Sequence, residues 1–201
     1  MHSASFGNCP ELPVIVRGVF QELATDLVYL FARWRLYLDL FVERENLDLL
    51  GELAPQAFQL IEESLRSDMT MAICRLGDPS DRNLSLAALI ESVEEDAMLS
   101  PLAAELDAIL QQFDIASARL RKLRNKRLGH KDLKTTLIPP DDLHPGVNSA
   151  QIEKILALAA GLLNRLHSAV TEKEIIFQSP SAGDELLRCL KRAQQAQKKQ
   201  T

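Results

Sequence analysis

"PVIVRGVFQELATDLVYLFARWRLYLDLFVER", residues 13–44, decides the fold class. Val16, Val19, Phe20, Leu23, Leu27, Leu30, Phe31, Trp34, Leu38 and Phe41 recur in it at helical spacing. Side chains three and four residues apart share one side of an α-helix, whereas a half-buried strand demands strict alternation. The apolar face is wide. The stretch therefore predicts one long helix, about Pro13 to Arg44, covered on more than one side.

The same period continues along the chain. After a short segment, "ENLDLLGELAP", a stripe of Phe58, Ile61, Leu65, Met69, Ala72, Ile73 and Leu76 predicts a second main helix from Pro55 to Leu76. "GDPSDRN" (77–83) ends it with Gly, Pro and Asp together. A third helix starts near "NLSLAALIESV" and fades by Met98. Ser100 and Pro101 read as a hydroxyl cap followed by proline at the first helical position. They open a fourth helix that carries Leu102, Leu106, Ile109, Phe113, Ala116, Leu120 and Leu123 to about Leu128, with Gly129 as its stop. "KDLKTTLIPPDDLHPGVNS" (131–149), with three prolines and a Gly, reads as a loop, long for a compact domain and of the kind that is often functional. Ser149 is expected to cap a fifth helix over residues 150–174.

The last segment, residues 185–199, offers only Leu186, Leu187, Cys189 and Leu190 for packing. No segment alternates like a strand. The expectation is an all-α protein, an up-and-down bundle of four or five main helices with short connections. Residues 1–178 are expected to form a single helical domain, and residues 179–201 a helical or frayed polar tail.

Charge and composition narrow the function. The formal net charge is −5, so a protein that coats nucleic acid over its whole surface is excluded, and any such contact is a local basic patch. Cys9, Cys74 and Cys189 are far apart and odd in number, which suits neither a disulfide framework nor a zinc site. The start, "MHSASFGNCPELP", lacks a basic region followed by an apolar run, and charged residues interrupt every apolar stretch before membrane-spanning length. The chain reads as cytoplasmic, with no membrane partner.

One segment departs from the acidic balance. In "RKLRNKRLGHKD" (121–132) and its flanks, Arg119, Arg121, Lys122, Arg124, Lys126, Arg127, Lys131 and Lys134 crowd together, with Asp132 the only acid. Cations near a helix C-terminus are favoured by the helix dipole, which accounts for some of them. If the helix continued, His130 would fall seven residues after Leu123, and Arg124 four after Leu120, both toward the apolar side. From spacing, two readings stay open. In one, His130 satisfies the last helical carbonyls; in the other, a His and an Arg are held together over a phosphate.

Other candidates read more plainly. His144, beside Asp141 and Asp142, belongs to a turn. His167 sits off the main stripe, as a surface or interface residue. Glu62 and Glu63, and the group Glu91, Glu94, Glu95 and Asp96, read as solvated acidic faces, since no Glu has a His three residues on. Trp34 reads as core. No zinc spacing, phosphate-cradling glycine loop or serine nucleophile elbow is present. No cofactor is expected.

"RNKRLGH" resembles the signature of the HEPN superfamily (higher eukaryotes and prokaryotes nucleotide-binding): an Arg, a polar residue, and a His after four to six intervening residues. Arg124, Asn125 and His130 match it with five intervening. "AICRLGDPSDRNLSLAALIE" and "LRNKRLGHKD" together resemble the AbiU-like abortive-infection branch of that superfamily, over roughly residues 15–170. Gly129, where a small residue such as Ala is common, is a mild departure.

The resemblance implies a metal-independent endoribonuclease of toxin or phage-defence type. It also implies a homodimer that brings two motifs into one cleft, with RNA as substrate and a protein antitoxin as a further partner. Arg124 and His130 would be catalytic and Asn125 supporting, while Arg121, Lys126, Arg127 and Lys131 would draw RNA by charge. The alternative is a non-catalytic, HEPN-like interaction or nucleotide-binding module.

Overall fold

Helical segments with the expected period become helices because burying one stripe of Leu, Ile and Phe compensates for ordering the chain. The computed structural model describes residues 9–80, 82–125, 148–177 and 181–199. In chain order the helices are α1 (Val14–Phe41), α2 (Arg44–Leu53), α3 (Pro55–Leu76), α4 (Leu86–Glu94), α5 (Ala103–Leu123), α6 (Ser149–Thr171) and α7 (Ala182–Lys198), with a 3-10 turn at Ser100–Leu102 before α5. No strand occurs among the described residues, and the protein is all-α. No described helix is long and apolar enough to cross a membrane.

Three local expectations are corrected. The first helix stops at Phe41, and "ENLDLLGEL" is itself helical within α2, where Leu49 and Leu50 are buried. Ser100 caps nothing: its hydroxyl points back to the Ala97 carbonyl, while the Asp96 carboxylate accepts from the amides of Met98 and Leu99 at 3.0 and 3.1 Å. Asp96 has taken the role of satisfying free amides at this turn, and Ser100 and Pro101 sit inside the 3-10 turn. At α6 the cap is Asn148, whose side chain accepts from the Gln151 amide at 2.9 Å, and Ser149 is the first helical residue. The stop expected at Gly129 and the loop expected over 131–149 fall, except for the last two residues, outside the described residues.

The chain divides into two compact units, Met1–Leu27 with Thr70–Phe177, and Val28–Met69 with Gln178–Thr201. In the first, α5 and α6 run antiparallel. Arg165 near the end of α6 pairs with Glu105 near the start of α5 at 2.7 Å. Gln151 at the start of α6 donates to the Ala116 carbonyl at 2.8 Å, further along α5. Phe113 and Leu106 on α5, Ile155, Leu162 and Leu166 on α6, and Leu89 and Val93 on α4 are wholly buried. Beyond α6, Glu172 adopts the left-handed conformation (φ 56°) and its amide donates to the Ser168 carbonyl. Asn164 then holds the following segment with both ends of its amide, accepting from the Ile175 amide at 2.7 Å and donating to the Ile175 carbonyl at 3.0 Å.

In the second unit, Leu40, Phe41, Leu49, Leu50, Phe58 and Leu187 form one buried cluster, with Leu190 packed against it. Each such side chain contributes roughly 1.5–3 kcal/mol relative to exposure. Trp34 is buried, as expected of a core residue, and stacks on Tyr37. α7 docks through Leu187 and Leu190. Lys191 pairs with Glu45 at 2.9 Å, and Gln194 donates to Glu52. Its start is fixed by Ser181, whose hydroxyl accepts from the Asp184 amide and donates to Asp39 at 2.6 Å. Asp39 is almost fully buried and is also paired with Arg35 at 2.9 Å. Gly183 lies against it so closely that an added Cβ would overlap the Asp39 side chain. The helix runs to Lys198.

Candidate functional site

The sequence after Leu120 keeps helical dihedrals because Arg, Lys and Leu are good helix formers. α5 therefore carries the first half of the basic segment at its C-terminal end. Arg124 continues the helix, its amide donating to the Leu120 and Arg121 carbonyls. The turn widens to a π-type turn over Arg124 and Asn125. Arg124 is half-buried and Asn125 exposed. The Arg124 Nε donates to the Asn125 Oδ1 at 3.0 Å. Asn125 is a neutral acceptor, so this bond leaves the Arg124 charge in place at the C-terminal end of α5, where the dipole favours a cation.

Arg121, one turn earlier, is placed differently. Its Nη1 meets the Asp114 Oδ1 at 2.6 Å and its Nη2 the Asp114 carbonyl at 2.6 Å. Nη1 also points to the Gly77 carbonyl at 3.4 Å. Asp114 lies seven residues before Arg121, two turns back on the same face of α5. The guanidinium expected to draw RNA is thus engaged with a carboxylate and two carbonyls of its own chain.

Gly77 follows the last residue of α3. A Cβ there would lie 2.7 Å from the buried Phe113 ring and 3.1 Å from the Arg121 Nη1. Only glycine lets the end of α3 approach α5 this closely without displacing one of them. The next residues form an Asx turn: the Asp78 carboxylate accepts from the Ser80 amide at 3.0 Å and from the Asn83 side chain at 3.3 Å. Ser85 then caps α4 through the Ala88 amide.

Cys74, on the last turn of α3, is buried. Burial pushes its thiol above the ordinary value, while Arg124 and then Arg121 pull it back and Asp78 raises it further. Both arginines thus lie within electrostatic reach of the α3 end. Cys74, from one of the two sequence segments that carry the resemblance, is therefore within electrostatic reach of Arg124, from the other.

Lys126, Arg127, His130 and Lys131 lie outside the described residues, as does His144. Lys122 is exposed. His167 is half-buried and stacks on Phe20, with its Nδ1 2.9 Å from the Lys173 carbonyl and 3.1 Å from the Thr171 hydroxyl. Those bonds tie it to the turn after α6. Glu62 bonds to Arg66 and Tyr37, and Glu63 to Gln59. No group of three potential metal-ligating side chains occurs among the described residues.

Sequence reading missed Asp114 and Gly77. The seven-residue offset between Asp114 and Arg121 was a usable signal. The close approach at Gly77 had none, because it depends on which helix packs against it.

Compared with known proteins, residues 12–186 match the family model HEPN_AbiU2, described as AbiU2. No curated protein and no solved structure matches the chain.

Proposed function

This chain belongs to the HEPN_AbiU2 family, and on that premise we propose that it is a cytoplasmic, homodimeric endoribonuclease of phage-defence or toxin type that needs no metal ion. The observation that supports this most directly is the end of α5. There the Arg124 Nε donates to the neutral Asn125 Oδ1, whereas Arg121, three residues away, is paired with the Asp114 carboxylate.

RNA carries its own nucleophile, the 2′-hydroxyl. In the proposed reaction His130 takes the 2′-hydroxyl proton and the 2′-oxygen attacks the adjacent phosphorus. The bond from phosphorus to the 5′-oxygen breaks, and His130 of the partner subunit returns a proton to that oxygen. The products are a 2′,3′-cyclic phosphate and a 5′-hydroxyl. Arg124 presents its Nη donors to the non-bridging oxygens, where negative charge builds. Asn125 holds the guanidinium by its Nε and leaves the Nη fork for phosphate. A two-fold dimer supplies the second acid/base group that one motif lacks. Lys126, Arg127 and Lys131 attract the RNA backbone, and a protein antitoxin is the partner that would restrain the activity in such a system.

The test is RNA cleavage in the presence of EDTA by the intact protein and by His130→Ala, with folding and oligomeric state checked for both. Cleavage by the intact protein alone, leaving cyclic-phosphate ends, is the expected result. Equal cleavage by both would remove His130 from the mechanism. No cleavage by either would favour a non-catalytic binding module.

A further inference from the structure

Within the basic segment the two described arginines do different work. We propose that Arg121 and Asp114 form a positioning clamp that ties the last turns of α5 to the Gly77 end of α3 and so fixes Arg124, and that Arg121 does not contact RNA. The proposal rests on the nuclease reading for its consequence, but the clamp itself stands on geometry.

Three features carry it. First, both Nη atoms of Arg121 are occupied at 2.6 Å by one residue, Asp114, through its carboxylate and its carbonyl. A guanidinium held by two short bonds at fixed angles has little freedom to turn toward a phosphate. Second, the same Nη1 reaches the Gly77 carbonyl, a free acceptor at the end of α3, so the pair bridges two helices and not merely two turns of one. Third, Gly77 has no Cβ, and one would press on both Phe113 and Arg121, so the fit is made by the close approach. Arg124 is the next turn along the same helix, and both arginines act electrostatically on Cys74, on the facing turn of α3. Loosening the clamp frees the turn that aims Arg124 and uncovers Cys74, which is only 1% exposed.

A clamp and an RNA contact predict opposite things for Asp114. Replacing Asp114 with Asn removes a negative charge and frees a cation. If Arg121 recruits RNA, Asp114→Asn strengthens binding and steepens its salt dependence, while Arg121→Ala makes the salt slope shallower by about one unit. If the pair is a clamp, Arg121→Ala and Asp114→Asn behave alike. Both lower turnover with little change in KM, and Arg121→Lys, which keeps the charge but lacks the fork, rescues neither fully.

The experiment has an arm that needs no cleavage. Full-length protein and the variants Arg121→Ala, Asp114→Asn and Arg165→Ala are treated with a thiol-alkylating reagent, and labelling of the Cys74 peptide is followed by mass spectrometry. Salt-dependent binding of a 2′-deoxy-substituted, uncleavable oligonucleotide is measured in parallel. Arg165→Ala breaks the ion pair with Glu105, near the opposite end of α5, and controls for general loosening.

The expected result is Cys74 labelling faster by roughly tenfold in both clamp variants and not in the control, since local opening sets access to a buried thiol. The salt slope should be unchanged. Cys74 labelling unaffected in Arg121→Ala, or a slope shallower by one unit, overturns the proposal. Absence of RNA cleavage by the intact protein overturns the nuclease reading alone, because neither arm depends on it.

Discussion

The Oδ1 of Asn125 accepts a 3.0 Å hydrogen bond from the Nε of Arg124, its immediate neighbour in the chain. A neutral acceptor orients the guanidinium without cancelling its charge, whereas a carboxylate would do both. Asn125→Asp is therefore expected to lower turnover more than Asn125→Ala, by roughly ten- to a hundredfold against the intact protein, because it pairs Arg124 internally and repels phosphate. Initial rates on a defined RNA check this; an Asp variant as active as the Asn protein would show that the amide has no orienting role.

Gly77→Ala places a methyl 2.7 Å from the Phe113 ring, which is wholly buried. The ring has no solvent-facing space to move into. Destabilisation of about 1–3 kcal/mol is expected from overpacking, read by chemical denaturation.

Gly183→Ala separates helix propensity from packing. Alanine inside an exposed helix would stabilise by about 1 kcal/mol over glycine. Here the new Cβ overlaps the buried Asp39 side chain, so the sign reverses. Hydrogen exchange should show faster exchange in residues 182–198, with the amides of α5 and α6 unchanged.

Glu105 and Arg165 give a pH dependence. The hydrogen bond from Arg165 holds the Glu105 carboxyl below its ordinary value of 4.5. A carboxyl whose folded pKa is depressed contributes stability above its unfolded pKa and loses it as pH falls through the folded value. The stability difference between the intact protein and Arg165→Ala should thus be constant at and above neutrality and should shrink only below pH 4.5. Denaturation curves at neutral and acidic pH measure it, and the pair is too exposed for the difference to be large.

Much of the architecture was legible because its signals are local. α3 runs from Pro55 to Leu76 as expected, since proline suits a first helical turn and "GDP" ends one within three residues. The break between α1 and α2 was not legible, as Val42 and Glu43 include neither Gly nor Pro. Capping was misassigned where two candidates compete: Asn148 stands beside Ser149, and Asp96 precedes Ser100, and tertiary placement chose between them. At the site, Arg124 and Asn125 could be singled out from a short motif. What Arg121 does was legible only in part: the seven-residue offset puts Asp114 on its face of α5, but nothing in the sequence shows that the same guanidinium also reaches the end of α3. Its partner Asp114 lies two turns away, and its second contact, Gly77, is separated by 44 positions.

The family match ends at residue 186, inside α7, one position before the leucine that enters the buried cluster of the second unit. Leu187, Leu190 and Lys191 all lie past that limit. A fragment trimmed to the matched region would keep the Ser181–Asp39 anchor but lose the apolar cover over Leu49, Leu50 and Phe58. Such a fragment would present a sticky patch to its neighbours in concentrated solution and would self-associate through it. Sedimentation of a trimmed protein would then report a spurious oligomer, so assembly has to be measured on the chain that retains α7 to Lys198.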